Sequence, residues 1–359
     1  MRTGVPDRAA ADWPDRPEPV RADTPRSNDR RTDDLARRLE SLPDGHPSSP
    51  YDADGTRRDS PDRLRDLDTD ADPDDDARPD NPRLPYTDAE WTDHRAEVPE
   101  RLETAREDGL ETTDQFGLDN DGEVWTASRR EVHASIIEEL YARASDVPCE
   151  YKAIIAGGLA GAGKTTVLAD HAGIDRSQYL TVNPDDIKVE LGKRDLIPKV
   201  EGLSPMEASD LVHLESSHIA KQLALRARAD GKNLIWDITM ASPEGTEKRI
   251  SDLRADGYTS VSGIFVDIPI DVSLARADAR HREGEDDYRL GKGLGGRYVP
   301  QDFITSQADA DWGSQNRRTF EAVKPRLDQW TLFDNGVADR DPVRISESLH
   351  DDSPREAAT

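Results

Sequence analysis

The chain is poor in several things at once. Cys149 is its one cysteine, so no disulfide can form within it and a disulfide-stapled scaffold is excluded. Hydrophobic residues make up only 34% of the 359 residues and aromatics 5%. No apolar run approaches the ~20 residues that a membrane-spanning helix needs. Positive charge is also short, with 48 Lys and Arg against 75 Asp and Glu, a net charge of −27. Nucleic-acid binding calls for a basic excess, so this balance argues against such a partner. The first residues carry no apolar signal core, and a cytoplasmic location without membrane attachment is the expectation.

What is abundant is aspartate, 51 residues against 24 Glu, while the basic residues are 38 Arg and 10 Lys. That bias fits a salt-adapted protein, whose self-repulsion is screened and whose charge keeps it soluble. Residues 1–85 carry a net −7, which leaves −20 on the remainder. This first segment holds 13 of the 24 prolines, lacks Ile and Phe, and has only Trp13 and Tyr51 as aromatics. It cannot bury enough apolar surface to offset its ordering entropy, and residues 1–85 read as a disordered arm, with one short helix possible around Asp33–Leu42. Residues 341–359 read as a disordered tail.

Residues 86–150 read as a helical N-terminal extension. Its clearest stretch is Arg129–Ala144, with Val132, Ile136, Ile137, Leu140 and Tyr141 at helical spacing and Ser128 with Glu131 as a capping box. From 151 to 340 short apolar strands alternate with helices. Strands are expected at Tyr151–Ala156, Tyr179–Val182, Asn233–Asp237, Ser260–Ile268 and Thr331–Phe333. Helices are expected from Thr165, over Ser204–Asp230, Pro243–Asp256, about Val272–Arg282 and Gln307–Arg326. The alternation predicts an α/β fold of the P-loop NTPase type, a parallel sheet flanked by helices.

Gly158-Leu-Ala-Gly161-Ala162-Gly163-Lys164-Thr165 fits G-x-x-x-x-G-K-[ST] in full, directly after a strand and before a helix. Such a loop wraps a phosphate chain with its backbone N–H groups, aided by the helix N-terminus. Lys164 can reach the β- and γ-phosphates, and the Thr165 hydroxyl can ligate Mg²⁺. ATP and Mg²⁺ are the implied cofactors, with Gly158, Gly161, Ala162, Gly163, Lys164, Thr165 and Thr166 forming the nucleotide cradle. A second glycine pattern, Gly291, Gly293 and Gly296, follows a charged segment that cannot be a buried strand, so it reads as a mobile loop between Arg280 and Arg297.

A triphosphate site leaves switch, motor, synthase and kinase open. A small-molecule kinase needs a carboxylate near the acceptor hydroxyl and cations around the transferring phosphoryl group. Asp185 and Asp186 follow the second strand; Asp237 and Thr239 end the third. In a parallel sheet these strand ends share the edge of the phosphate loop. Asp237 is the better candidate for contacting Mg²⁺ or substrate, with Asp267 as its competitor.

The chain resembles the zeta toxin family of P-loop kinases through GGLAGAGKTT (157–166), VNPDDIK (182–188), LVHLESSHIAKQL (211–223), GKNLIWDITM (231–240) and GGRYVP (295–300). WTASRREVHASII (125–137) is similar to the segment before the phosphate loop in longer members. The resemblance covers about 125–335. It implies ATP-dependent phosphorylation of a hydroxyl of a nucleotide sugar such as UDP-N-acetylglucosamine, and an antitoxin protein as partner. It makes Asp185 the general base, Lys164 the phosphate clamp, and Arg280 and Arg297 the arginines that embrace the transferring phosphate. Asp237 and Thr239 become substrate contacts, with His213 and Glu215 as substrate-side or packing residues. A polynucleotide 5′-hydroxyl kinase and a non-catalytic NTP-dependent switch are the competing readings.

Overall fold

A computed structural model describes residues 84–337 and 340–348. The expected arm over 1–85, with its helix at Asp33–Leu42, lies outside the described residues except for Leu84 and Pro85. The helices are α1 (Asp88–Glu107), α2 (Thr112–Phe116), α3 (Ala127–Arg143), α4 (Lys164–Thr166, continued by a π-helical turn Val167–His171), α5 (Pro184–Lys193), α6 (His213–Ala229), α7 (Pro243–Ala255), α8 (Ile270–Arg289), α9 (Gln301–Thr305) and α10 (Gln315–Val323). The strands are β1 (Lys152–Gly157), β2 (Leu180–Val182), β3 (Leu234–Asp237), β4 (Ser260–Asp267), β5 (Ala308–Asp309), β6 (Gly313–Ser314), β7 (Gln329–Asp334) and β8 (Val343–Glu347).

Six strands form one sheet in the order β2-β3-β1-β4-β7-β8, parallel throughout except for β8. Alternate residues of β1 enter opposite faces, as the pleat requires. Ala153 and Ile155 join the larger core, which includes Ile136 of α3, Ile187 of α5, Ile219 of α6, Ile250 of α7 and Phe320 of α10. Ile154 and Ala156 join the smaller one, with Val167, Leu168, Val266 and Phe333. Both faces are thus covered, and this is why β1 reads as a continuous apolar run rather than an alternation.

Val98, Leu102 and Ala105 of α1 belong to the larger core too. The helical extension before residue 150 therefore shares its core with the sheet. Its main helix begins at Ala127 after Thr126, with no side-chain cap, so the expected Ser128 capping box does not form. A true capping box lies at Thr87 and Glu90, at the start of α1.

Three expected boundaries shift for local reasons. The α-helix expected from Ser204 starts at His213, preceded by a 3-10 turn over Ala208–Val212. Ser204 and Glu207 bond each other reciprocally (Ser204 N–H to the Glu207 carboxylate, 3.0 Å; Glu207 N–H to the Ser204 hydroxyl, 3.2 Å). Met206, however, gives its N–H to the Leu294 carbonyl (3.0 Å), and the segment makes only a turn before the 3-10 stretch. Residues 308–314 form a small β5–β6 hairpin in place of helix; Asp309 Oδ1 accepts from the N–H groups of Asp311 and Trp312, and Ser314 caps α10. The expected tail from 341 is corrected over its first part, because Val343–Glu347 is a strand paired antiparallel to β7. Strand β7 offers an otherwise open edge for it to cover.

Candidate active site

The register of the sheet brings the chemistry to one edge. Ala156 of β1 pairs with Asp237 of β3, and Val182 of β2 pairs with Trp236, so the phosphate loop, Asp237 and the start of α5 emerge side by side. Gly158, Gly161 and Gly163 all hold positive φ, at 144°, 69° and 80°, a backbone path that other residues rarely adopt. The loop is fastened from outside itself. Ser273 of α8 donates to the Ala160 carbonyl (2.7 Å), and Asn335, just after β7, donates to the Ala162 carbonyl (2.9 Å). Lys164 Nζ reaches the Gly158 carbonyl at 3.2 Å and lies 3.7 Å from Asp237 Oδ1. The Thr165 and Thr166 side chains follow on the exposed first turn of α4.

Asn183 caps α5 by accepting the Asp185 N–H (2.9 Å), and its side-chain amide donates to Asp237 Oδ2 (3.3 Å). One residue thereby sets both carboxylates. Asp185 is ion-paired with Arg297. Burial works to raise the Asp185 pKa, but Arg297, Lys188 and Lys164 outweigh it and hold the carboxyl below its ordinary value. Asp237 is raised, by burial and by the like charge of Asp185, against the pull of Lys164. Asp186 is raised by burial and by both neighbouring carboxylates. The three aspartates thus separate into one firmly ionised group and two that bind protons more readily.

Arg280, on α8, makes no hydrogen bond or ion pair among the described residues, yet it sits within the field of Arg297 and Asp185. Burial and the like charge of Arg297 lower its pKa. The structure therefore brings Lys164, Asp185, Asp237, Arg280 and Arg297 into one electrostatic neighbourhood. Asp267, the competitor of Asp237, is ion-paired with Arg317 (2.8 Å).

Glu215 and Thr239 are engaged with other groups of the protein. Glu215 is turned inward and fully buried, its carboxylate taking Arg129 Nε at 2.6 Å and His133 Nε2 at 2.7 Å. It is a packing residue, because the buried Arg129 has drawn it into the interface between α3 and α6. Thr239 contributes its backbone, its carbonyl accepting from Gly158 N (3.3 Å) and from Asn316 Nδ2 (2.8 Å). His213 stands on the first turn of α6, its pKa lowered by the surrounding protein and by Lys188.

Two cations were missed in the sequence. Lys188 is buried on α5, three residues after Asp185 and so on the same helix face; burial lowers its pKa, while Asp185 and Asp210 oppose that. The i, i+3 spacing was the signal available. Arg176, in the 3-10 turn Arg176–Gln178, acts on both Asp186 and Asp237. It had no signal, since only the fold brings that turn back to the sheet edge.

The second half of the glycine loop packs closely on α8. A Cβ on Gly296 would lie 1.9 Å from the His281 carbonyl oxygen, and one on Gly284 would lie 2.5 Å from Gly296 Cα. The loop rests on α8 glycine against glycine, which carries Arg297 to the same side as Arg280.

A phosphate loop after the first core strand, carboxylates at the neighbouring strand ends and arginines from a following helix and loop define a kinase-like P-loop phosphotransferase. The zeta toxin family model matches residues 142–337, more than half of the chain, and the protein belongs to the zeta toxin family. No curated protein matches it. Among solved structures it is similar to the AvrRxo1-ORF1:AvrRxo1-ORF2 complex with ATP, at 20% identity and a TM-score of 0.49 over 66% of this chain and 76% of that one. A second is the PezAT toxin–antitoxin system of Streptococcus pneumoniae, at 16% identity and a TM-score of 0.44 over 63% and 83%. A third is a kinase-like protein of Chloroflexus aurantiacus, at 17% identity and a TM-score of 0.30 over 43% and 95%. Among the described residues no helix is long and apolar enough to cross a membrane.

Proposed function

We propose that this protein transfers the γ-phosphoryl group of ATP to a hydroxyl of a small molecule. The observation that carries the reading is the placement of Asp185 beside Arg297, at the strand edge that also bears Lys164. Asp185 orients the acceptor hydroxyl and takes its proton as the new O–P bond forms and the bond to the leaving diphosphate oxygen breaks. A carboxyl held ionised by three cations is a weak base, so its main service is orientation, with proton transfer following O–P bond formation. Lys164 clamps the phosphates, while Arg280 and Arg297 neutralise charge that develops on the transferring group. The oxygen donors Thr165 and Asp237 suit Mg²⁺, which when bound would neutralise charge on the nucleotide phosphates.

Membership of the zeta toxin family supports a nucleotide sugar such as UDP-N-acetylglucosamine as acceptor, and an antitoxin protein as partner. The test supplies γ-labelled ATP with nucleotide sugars, free sugars and oligonucleotides at high KCl. Label on a small acceptor, lost in Lys164→Ala and in Asp185→Asn, is the expected result. Label on the oligonucleotide alone identifies a polynucleotide kinase instead. Free phosphate with every acceptor leaves an NTP-dependent switch or ATPase.

A further inference from the structure

A second buried polar cluster lies behind the two arginines, between α1, the turn before α6, α8 and the glycine loop. Glu207 Oε1 meets His94 Nε2 of α1 and His281 Nε2 of α8, each at 2.7 Å, and its other oxygen accepts the Ser204 N–H. Glu285, one turn beyond His281, accepts the Ser204 hydroxyl and the Gly296 N–H, the latter at 2.7 Å. Glu207, His281, Glu285 and Ser204 are all buried. Trp91 closes the cluster edge-on to His281, with 4.7 Å between ring centroids, and Tyr86 stacks on His94.

Two imidazoles and two carboxylates suggest a metal centre, and His94, Glu207 and Glu285 do offer ligand atoms within 4.8 Å of one another. The spacing points the other way. Ligands of a tetrahedral zinc, each about 2.0–2.2 Å from the ion, would be separated by about 3.3 Å or more. Both imidazole nitrogens are instead at hydrogen-bond distance from one carboxylate oxygen. The Ser204 N–H fills the other Glu207 oxygen, and the Ser204 hydroxyl and the Gly296 N–H both bond Glu285 Oε1, so the cluster is held by hydrogen bonds.

The connections lead to the candidate active site. His281 directly follows Arg280. Gly296, held by Glu285, directly precedes Arg297. Burying carboxylates is costly, and these two bond the residues directly adjacent to Arg280 and Arg297. We infer that Glu207 and Glu285, with His94, are positioning residues that fix Arg280 and Arg297 for phosphoryl transfer. Helix α1, which lies outside the segment matched by the family, thereby becomes part of the phosphotransferase. The inference rests on the kinase reading of the site. Glu285 does its part as a hydrogen-bond acceptor, and burial with the neighbouring Glu207 raises its pKa, so an amide is a fair replacement.

The experiment measures kcat and the KM for ATP with the full chain and the acceptor found above, for wild type, Glu285→Ala, Glu285→Gln, His94→Ala and Arg297→Ala, and for Glu285→Ala combined with Arg297→Ala. Misplacing a transition-state contact should cost about 10²-fold in kcat for Glu285→Ala. The KM for ATP should stay near wild type, because the phosphate loop holds the nucleotide. His94→Ala should lower kcat in the same sense. Glu285→Gln should restore most of the rate. In the Arg297→Ala background Glu285→Ala should add little, since both act through the same group. Should Glu285→Ala fail to fold, Ser204→Ala removes the hydroxyl that donates to Glu285 and accepts the Glu207 N–H, and gives the same comparison. Unchanged kcat in Glu285→Ala, or an equal loss in the Arg297→Ala background, overturns the inference while the kinase reading stands. Absence of transfer by wild type overturns the kinase reading itself.

Discussion

Two carboxylate–arginine pairs in this protein have the same chemistry and opposite circumstances. Glu215 and Arg129 have side chains 0% and 7% exposed, and His133 occupies the same carboxylate oxygen as Arg129 Nε. Asp185 and Arg297 are 44% and 19% exposed, with Arg280 standing near them without an ion pair. The first cluster is complete, since its charges are paired and its acceptors largely filled. The second is incomplete, with more positive than negative charge around Asp185. In a chain of net charge −27, a local surplus of cations is an unspent attraction for an anion. Residue type therefore does not separate packing from chemistry in this fold; the leftover charge and its access to solvent do.

The largest effect that sharpens this contrast is expected at Arg280. Arg280→Ala removes no existing ion pair, so the melting temperature should stay within a few degrees of wild type. Phosphoryl transfer should nevertheless fall about 10³-fold or more, the scale on which arginines act in such reactions. Arg280→Lys should recover little, because a point charge lacks the planar fork of a guanidinium. Rate and melting curves on the same preparations check this; a large loss of stability with little loss of rate would make Arg280 a packing residue like Arg129.

At the sealed cluster the reverse is expected. Glu215→Ala strands the buried Arg129 guanidinium and should cost about 3–5 kcal/mol of stability. Below the new unfolding transition, the folded fraction should keep the wild-type KM for ATP and for the acceptor. Chemical denaturation and steady-state kinetics measure the two quantities separately. A raised acceptor KM with unchanged stability would return Glu215 to the substrate site and break the comparison.

This contrast also marks how far the sequence could be read. The sheet, its helices and the phosphate loop were legible because they follow local patterns, the apolar strand runs and the G-x-x-x-x-G-K-[ST] spacing. Asp185 and Asp237 were legible from their places after strands, since a parallel sheet fixes which edge those places share. For Glu215 the motif HLESS leaves substrate-side and packing roles open, because it records the residue and not the direction it faces, which depends on Arg129, 86 positions away along the chain. The His94, Glu207, His281 and Glu285 cluster was invisible for the same reason. His94, Glu207 and the His281–Glu285 pair come from three separate segments, and the i, i+4 spacing of that pair on α8 does not announce the other two. The charged segment before 291–296 rules out a buried strand there, but it gives no sign that Gly296 lies in close contact with α8.

A third cluster lies between the two extremes and gives the smallest expected effect. Glu190, towards the end of the same helix as Asp185, meets Arg143 of α3, Lys193 and Arg194. Burial raises its pKa, but hydrogen bonds from Arg143, Arg194 and Lys193 outweigh that and pull it from 4.5 down to about 2. A depressed carboxyl stabilises the fold when ionised, so its contribution is fully present above the unfolded value and is lost as pH falls through the folded one. Glu190→Gln should therefore lower the melting temperature by a few degrees at neutral pH, since its cationic partners are partly solvated. The gap to wild type should stay constant down to about pH 5, narrow below the ordinary carboxyl value of 4.5, and close as the pH approaches about 2. Melting curves across that range check it. A gap independent of pH would mean that Glu190 contributes packing rather than charge, and would place it with neither the sealed cluster nor the open one.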